Sequence, residues 1–138
     1  MTINEIQDQI VEDFAFFEDW MEKYEYIIDL GKHLPLIDES KKIDQNLIKG
    51  CQSRVWLDAE AVDENIRFTA DSDAVITKGI IALLIQVLNN QSAEEIAKSD
   101  LYFIDKIGLK EHLSPTRSNG LLSMVKQMKL YGLALVKG

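Results

Sequence analysis

The sequence predicts an α+β fold: a small antiparallel three-stranded sheet flanked by helices, in one domain over residues 1–138. Three observations predict it. Apolar residues recur at helical spacing near the N-terminus and again after residue 71. Between these stretches, residues 45–71 hold short apolar or alternating runs broken by turn residues. The connections among those runs are too short for parallel crossovers, so the strands should pair antiparallel.

Each element has a local reason. "TINE" at 2–5 has capping-box spacing, with Thr2 as cap and Glu5 three residues on. Ile3, Ile6, Ile10, Phe14 and Phe17 then mark one face of a first helix. "DWMEKYEYIIDLG" at 19–31 predicts a second, with Trp20, Tyr24, Ile27, Ile28 and Leu30 as its apolar side and Gly31 as its stop. Pro35 forbids continuation. "DESKKIDQ" reads as a polar loop. "QNLIKG" at 45–50 is expected to be a short strand, "SRVWLDAEA" at 53–61 a longer one, "DEN" at 63–65 a turn and "IRFTAD" at 66–71 a third strand. Trp56, alternating with Val55 and Leu57, is expected in the core.

"DSDAVITKGIIALLIQVLNN" at 71–90 predicts a helix capped by Asp71, Ser72 or Asp73 and buried on most sides, with Gly79 allowing close packing. "SAEE" at 92–95 has capping-box spacing and opens a short helix. Ser114 and Pro115 read as the cap and first residue of a last helix. Its expected apolar face is Leu121, Leu122, Val125, Met128, Leu133, Leu135 and Val136.

Composition narrows function. The chain has 138 residues, enough to bury a core, and 46% are hydrophobic against 28% charged, which fits a globular domain. No apolar run reaches the roughly 18 residues of a membrane span. The N-terminal "MTINEIQDQI" is polar and acidic, unlike a secretory or transit signal. Net charge is -8, and residues 1–44 carry 12 acids against 4 bases, so no nucleic-acid partner is expected. Residues 106–138 reverse the sign, with 6 bases and 1 acid. The acidic N-terminal third reads as a solvated face or as a surface that steers a protein partner.

Chemistry converges on Cys51, the single cysteine. It cannot close a disulfide within the chain, and a reducing cytoplasm is the expected setting. His33 and His112 are too few and too far apart in sequence to suggest a metal site, and no metal is expected. No nucleotide-binding glycine loop and no serine-hydrolase elbow is present. A lone cysteine is commonly an inert, buried, small hydrophobe. Here Gly50 and Ser53 favour a hairpin-like tip, and Lys49 and Arg54 are expected to lower the thiol pKa. Three readings stay open: a nucleophile with a histidine base, a peroxide-reducing thiol, and a carrier of a group such as sulfane sulfur.

Four ordered motifs add a resemblance. "KYEYIIDLGKHLP" at 23–35, "GCQSRVWL" at 50–57, "DSDAVITKGIIALL" at 71–84 and "HLSPTRSNGL" at 112–121 resemble motifs of the SufE family, sulfur-acceptor proteins of iron–sulfur cluster assembly. The resemblance runs from about Phe14 to Met128. It implies a SufE/IscU-like fold with the cysteine on a loop. It implies that Cys51 accepts sulfur from a cysteine desulfurase (SufS-like), that the chain stimulates that enzyme without being one, and that the sulfur passes to a SufBCD-like scaffold. Pyridoxal phosphate would belong to the partner, leaving this chain without a cofactor. The chain itself is expected as a monomer or weak homodimer.

Gly50, Gln52, Asp73, His112 and Arg117 are the supporting residues implied. Arg117 sits where a helix dipole disfavours a cation, so an acid, a partner or the anionic sulfur is expected to compensate it. Asp73 is expected chiefly as a helix cap. Gln52 is expected to order the loop or face solvent, and His112 to organise the "HLSPTR" turn. A half-covered Cys51 on a loop that moves on partner binding is expected for a protected persulfide.

Overall fold

The computed structural model describes residues 1–135. The N-terminal helix α1 spans Ile3–Ala15. Its capping box is complete: Thr2 Oγ1 accepts from the Glu5 N–H and Glu5 accepts from the Thr2 N–H. Asp19 caps α2, Trp20–Gly31, by accepting from the Glu22 N–H. The polar loop holds two short 3-10 turns, Glu39–Lys41 and Asp44–Asn46.

A tight hairpin follows. Strands β1, Val55–Val62, and β2, Asn65–Ser72, pair antiparallel from Val55–Ser72 to Val62–Asn65. The turn is Asp63–Glu64, with Asp63 at a left-handed φ of +59°. Val55, Leu57, Ile66, Phe68 and Ala70 point to the core. Trp56 does not: strand alternation puts it on the opposite face, half-exposed, with Lys42 Nζ 5.5 Å from its ring centroid.

The sheet has three strands, but its third is not the one expected. Residues 45–50 form no strand. They contribute one isolated bridge, Leu47–Trp56, and one bond from the Ile48 N–H to the Val55 carbonyl. The third strand is β3, Gln91–Ser92, which pairs with Asn65 and Ile66. The rest of that β2 edge is closed by other means. Phe68 N–H donates to Asn89 Oδ1 at 2.6 Å, and Ala70 exchanges bonds with Pro35 and Ile37. These bonds occupy the edge that another strand would otherwise pair with.

The central helix α3, Val75–Leu88, is buried on most sides, as its composition predicts. Its cap differs. Ala74 occupies the cap position without a side-chain bond, so neither Asp71, Ser72 nor Asp73 is the N-cap. Asp71 instead pairs with Lys42 at 2.6 Å and Lys78 at 3.3 Å. Burial would raise its pKa, but these bonds and the Ser72 N–H hold it below the usual carboxylate range. Gly79 packs as expected: a Cβ there would meet the Ile27 carbonyl oxygen at 2.2 Å. Gly31 faces the same crossing, where its Cβ would lie 3.0 Å from the Gly79 nitrogen. Its role is thus backbone contact between α2 and α3 rather than a left-handed stop.

Helix α4, Ala93–Lys98, is capped by Ser92. The short α5, Phe103–Lys106, has no clear signal in the sequence. Buried Gln7 fixes its start by donating to the Asp100 carbonyl and accepting from the Phe103 N–H. The last helix, α6, spans Pro115–Leu135 in the described residues. Only Leu121, Met124 and Met128 of its apolar side chains are fully buried, with Val125 packed beside them. Leu122, Leu133 and Leu135 are exposed, which corrects the wider face expected, and Val136 lies outside the described residues. The spacing of 121, 124 and 128 is one narrow helical stripe; Leu122 and Leu133 fall off it, whereas Leu135 continues it past the last buried residue of the helix, Gly132.

Candidate functional site

Cys51 sits at the tip between Ile48 and Val55. Three external braces place it. Gly50 takes a φ of +94°, and a Cβ there would lie 2.4 Å from Ser123 Oγ, so the tip crosses α6 at a position that accepts only glycine without adjustment. The Cys51 thiol donates to the Gly120 carbonyl at 3.6 Å. Downstream, the Arg54 N–H donates to Asp73 Oδ1 at 3.0 Å, and the Asp73 N–H donates to the Arg54 carbonyl at 3.3 Å. Asp73 is therefore a loop anchor, not a helix cap.

The thiol opens on a cavity of about 320 Å³ between the tip, α3 and the start of α6. Ile80 and Met124 supply apolar lining. Ser53, Thr77, Ser114, Thr116 and Arg117 supply hydroxyls and one cation. Ser114 accepts from the Arg117 N–H at 3.3 Å and so caps α6, as its sequence suggests. Among the described residues Arg117 forms no ion pair with an acid, and its place in the cavity wall sets it in the same space as the sulfur.

Electrostatics at the thiol reverse the expectation from its sequence neighbours. Burial pushes the Cys51 pKa up from its ordinary value. Lys49 and Arg54 are exposed and line no part of this cavity, so proximity along the chain does not become proximity in space. The thiol is half-buried and packs against the core. A donated bond to a carbonyl likewise favours the protonated form. The resting group is thus a covered thiol, poised to react only after deprotonation.

Of the supporting residues, the structure brings Gln52 and Arg117 to the cavity and sets Gly50 and Asp73 as braces of the tip. Gln52 is exposed. His112 does not line the cavity; it stacks on Trp20 on the α2 side. His33 is likewise elsewhere, so neither imidazole stands beside the thiol as a base. Among the described residues no group of three or more His, Cys, Asp or Glu could hold a metal, and no helix is long and apolar enough to cross a membrane.

Thr77, Thr116 and Gly120 escaped sequence reasoning. Only Gly120 carried a signal: a glycine six residues into a helix costs stability and asks for a packing reason. A Cβ at that position would meet the Cys51 sulfur at 3.5 Å, an ordinary contact, so the glycine marks where the thiol lies against α6 and leaves that side of it uncovered.

Comparison with known proteins gives the family and the fold. The family described as "SufE: Fe-S metabolism associated domain" matches residues 8–131. An uncharacterized SufE-like protein of Rhizobium meliloti is 42% identical over 127 residues, 88% of this chain and 91% of the relative. One from Rhizobium etli is 43% identical over 127 residues, 88% and 86% of the two chains. The solution structure of a hypothetical protein from Thermus thermophilus superposes with a TM-score of 0.80 at 17% identity, over 96% of this chain and 97% of that one, and shares its fold. The match over residues 8–131, with relatives 42% and 43% identical over 88% of the chain, places the protein in the SufE family, whose domain is associated with iron–sulfur metabolism.

Proposed function

We propose that this protein is a persulfide carrier: Cys51 accepts sulfane sulfur from the persulfide of a SufS-like cysteine desulfurase and yields it to a SufBCD-like iron–sulfur scaffold. The observation that carries the reading is the single, half-covered thiol at a braced tip, facing a cavity with Arg117 in its wall. In the transfer, the Cys51 thiolate attacks the outer sulfur of the partner's persulfide. A bond forms between Cys51 Sγ and that sulfur, the partner's S–S bond breaks, and the partner's thiolate leaves. No net oxidation occurs, and one cysteine suffices. The chain is an accessory that stimulates the desulfurase rather than an enzyme, needs no cofactor of its own, and works in the cytoplasm. Pyridoxal phosphate serves the desulfurase.

Burial gives the carrier its logic. The raised thiol pKa keeps Cys51 protonated and slow toward stray oxidants at neutral pH. Docking must then move the tip and expose the sulfur. Incubation with a cysteine desulfurase and L-cysteine should add the mass of one sulfur to Cys51, removable by reductant. The absence of that adduct, together with undiminished desulfurase stimulation by Cys51→Ser, sinks the reading.

A further inference from the structure

The segment before α6 is gripped by α2 at His112. The His112 ring stacks on Trp20, with centroids 3.9 Å and planes 19° apart. Tyr24 OH donates to the His112 carbonyl oxygen. Lys23 Nζ lies 4.7 Å from the Trp20 centroid. His112 Nδ1 lies 3.1 Å from the Gly108 carbonyl oxygen, across a turn in which Gly108 takes a φ of +71°. Trp20, Lys23 and Tyr24 are spaced as one face of a helix. The same segment is tied forward as well: Ser118 Oγ donates to the Lys110 carbonyl at 3.3 Å, and Ser114 caps the turn that carries Arg117. The chain from Gly108 to Ser118 is therefore one braced piece, with α2 at one end and the Cys51 cavity at the other.

That brace answers a problem posed by Arg117. A cation in the first turn of a helix is opposed by the helix dipole, and no described acid pairs with it. Something must hold that turn against the cavity. We propose that Trp20, Tyr24 and His112 are positioning residues, a clamp that sets the first turn of α6, and with it Arg117, beside Cys51. Its use in sulfur transfer rests on the carrier reading above. The clamp itself is a property of the free protein.

Two alkylating reagents test it. Iodoacetate is anionic and iodoacetamide neutral, and both react with the same thiolate, so the ratio of their rates cancels the thiolate fraction and reads the charge near the sulfur. Arg117→Ala should lower the iodoacetate-to-iodoacetamide ratio about threefold, the size expected of one cation acting across a wet cavity. Trp20→Leu and His112→Ala should lower it most of the way to the same value. His112→Phe keeps a ring on Trp20 and should retain most of the ratio. Tyr24→Phe removes a single hydroxyl, leaves the packing in place, and should give a partial fall even where larger changes prevent folding. Circular dichroism confirms that each variant is folded. A merely structural role would move both rates together and leave the ratio at its wild-type value. The proposal is overturned if Arg117→Ala does not change the ratio, or if it does while His112→Ala and Tyr24→Phe do not. No arm needs a desulfurase. Failed sulfur transfer alongside the expected ratios would therefore count against the proposed function and not against the clamp.

Discussion

Two hairpin-like tips among the described residues are held in opposite ways. The Asp63–Glu64 turn closes a ladder of eight residue pairs, so its own strands fix it. The Cys51 tip closes on one bridge and one hydrogen bond, and its position comes from α6 and from the lead-in to α3. A ladder holds a turn by many bonds that break together. External braces hold a tip by a few contacts that a docking partner can replace one at a time. The reactive residue sits on the tip of the second kind, which is where a carrier needs its thiol.

Changes at the two tips should therefore have unequal effects. Gly50→Ala should be the most damaging. It combines a left-handed φ with a contact on Ser123, and should cost about 1–2 kcal/mol in urea unfolding while speeding Cys51 alkylation several-fold. Gly120→Ala should act in the opposite sense. The added Cβ meets the Cys51 sulfur at an ordinary contact distance, and alanine favours the helix by about 0.5–1 kcal/mol. The melting temperature should rise, and alkylation should slow as the thiol is covered further. The pH profile should sharpen this. The folded thiol pKa is raised by burial, so alkylation should reach half its plateau above the ordinary cysteine value, and higher again in Gly120→Ala. The same shift makes stability fall as pH rises from the unfolded toward the folded thiol pKa, a loss that Cys51→Ser should abolish.

Asp73→Ala removes one acceptor from the tip. It should cost about 0.5–1 kcal/mol and quicken alkylation modestly, with Asp73→Asn close to wild type. Asp63→Gly should be the mildest. Glycine suits the left-handed turn, so stability should change by less than about 0.5 kcal/mol and Cys51 reactivity not at all. Equal reactivity changes from Asp63→Gly and Asp73→Ala would erase the distinction between the tips.

What the sequence made legible follows the range of the forces involved. Thr2, Ser92 and Ser114 announce their helices because a cap acts over three residues. The strand expected at 45–50 failed because an apolar run does not supply a neighbour's hydrogen bonds. The real third strand, Gln91–Ser92, is two polar residues chosen by the open edge of β2. Cys51 and Gly50 stood out locally, and their tip was legible from turn chemistry. The cavity was not, since Thr77, Ser114 and Gly120 come from distant parts of the chain. The thiol's electrostatics misled for the same reason: Lys49 and Arg54 adjoin Cys51 in sequence, while burial decides its protonation.

The crossing of α2 and α3 bears on this cavity although it lies outside it. With glycine on both sides, Gly31 and Gly79 let the two backbones touch, so α3 has no side-chain cushion on which to slide. One wall of the cavity, Thr77 and Ile80, rides on α3 and is thereby gauged from α2. The facing wall begins where His112 leaves α2. A helix that lends no residue to the cavity thus serves as the datum from which its gap is measured, and the Cys51 tip is the part left free to open it.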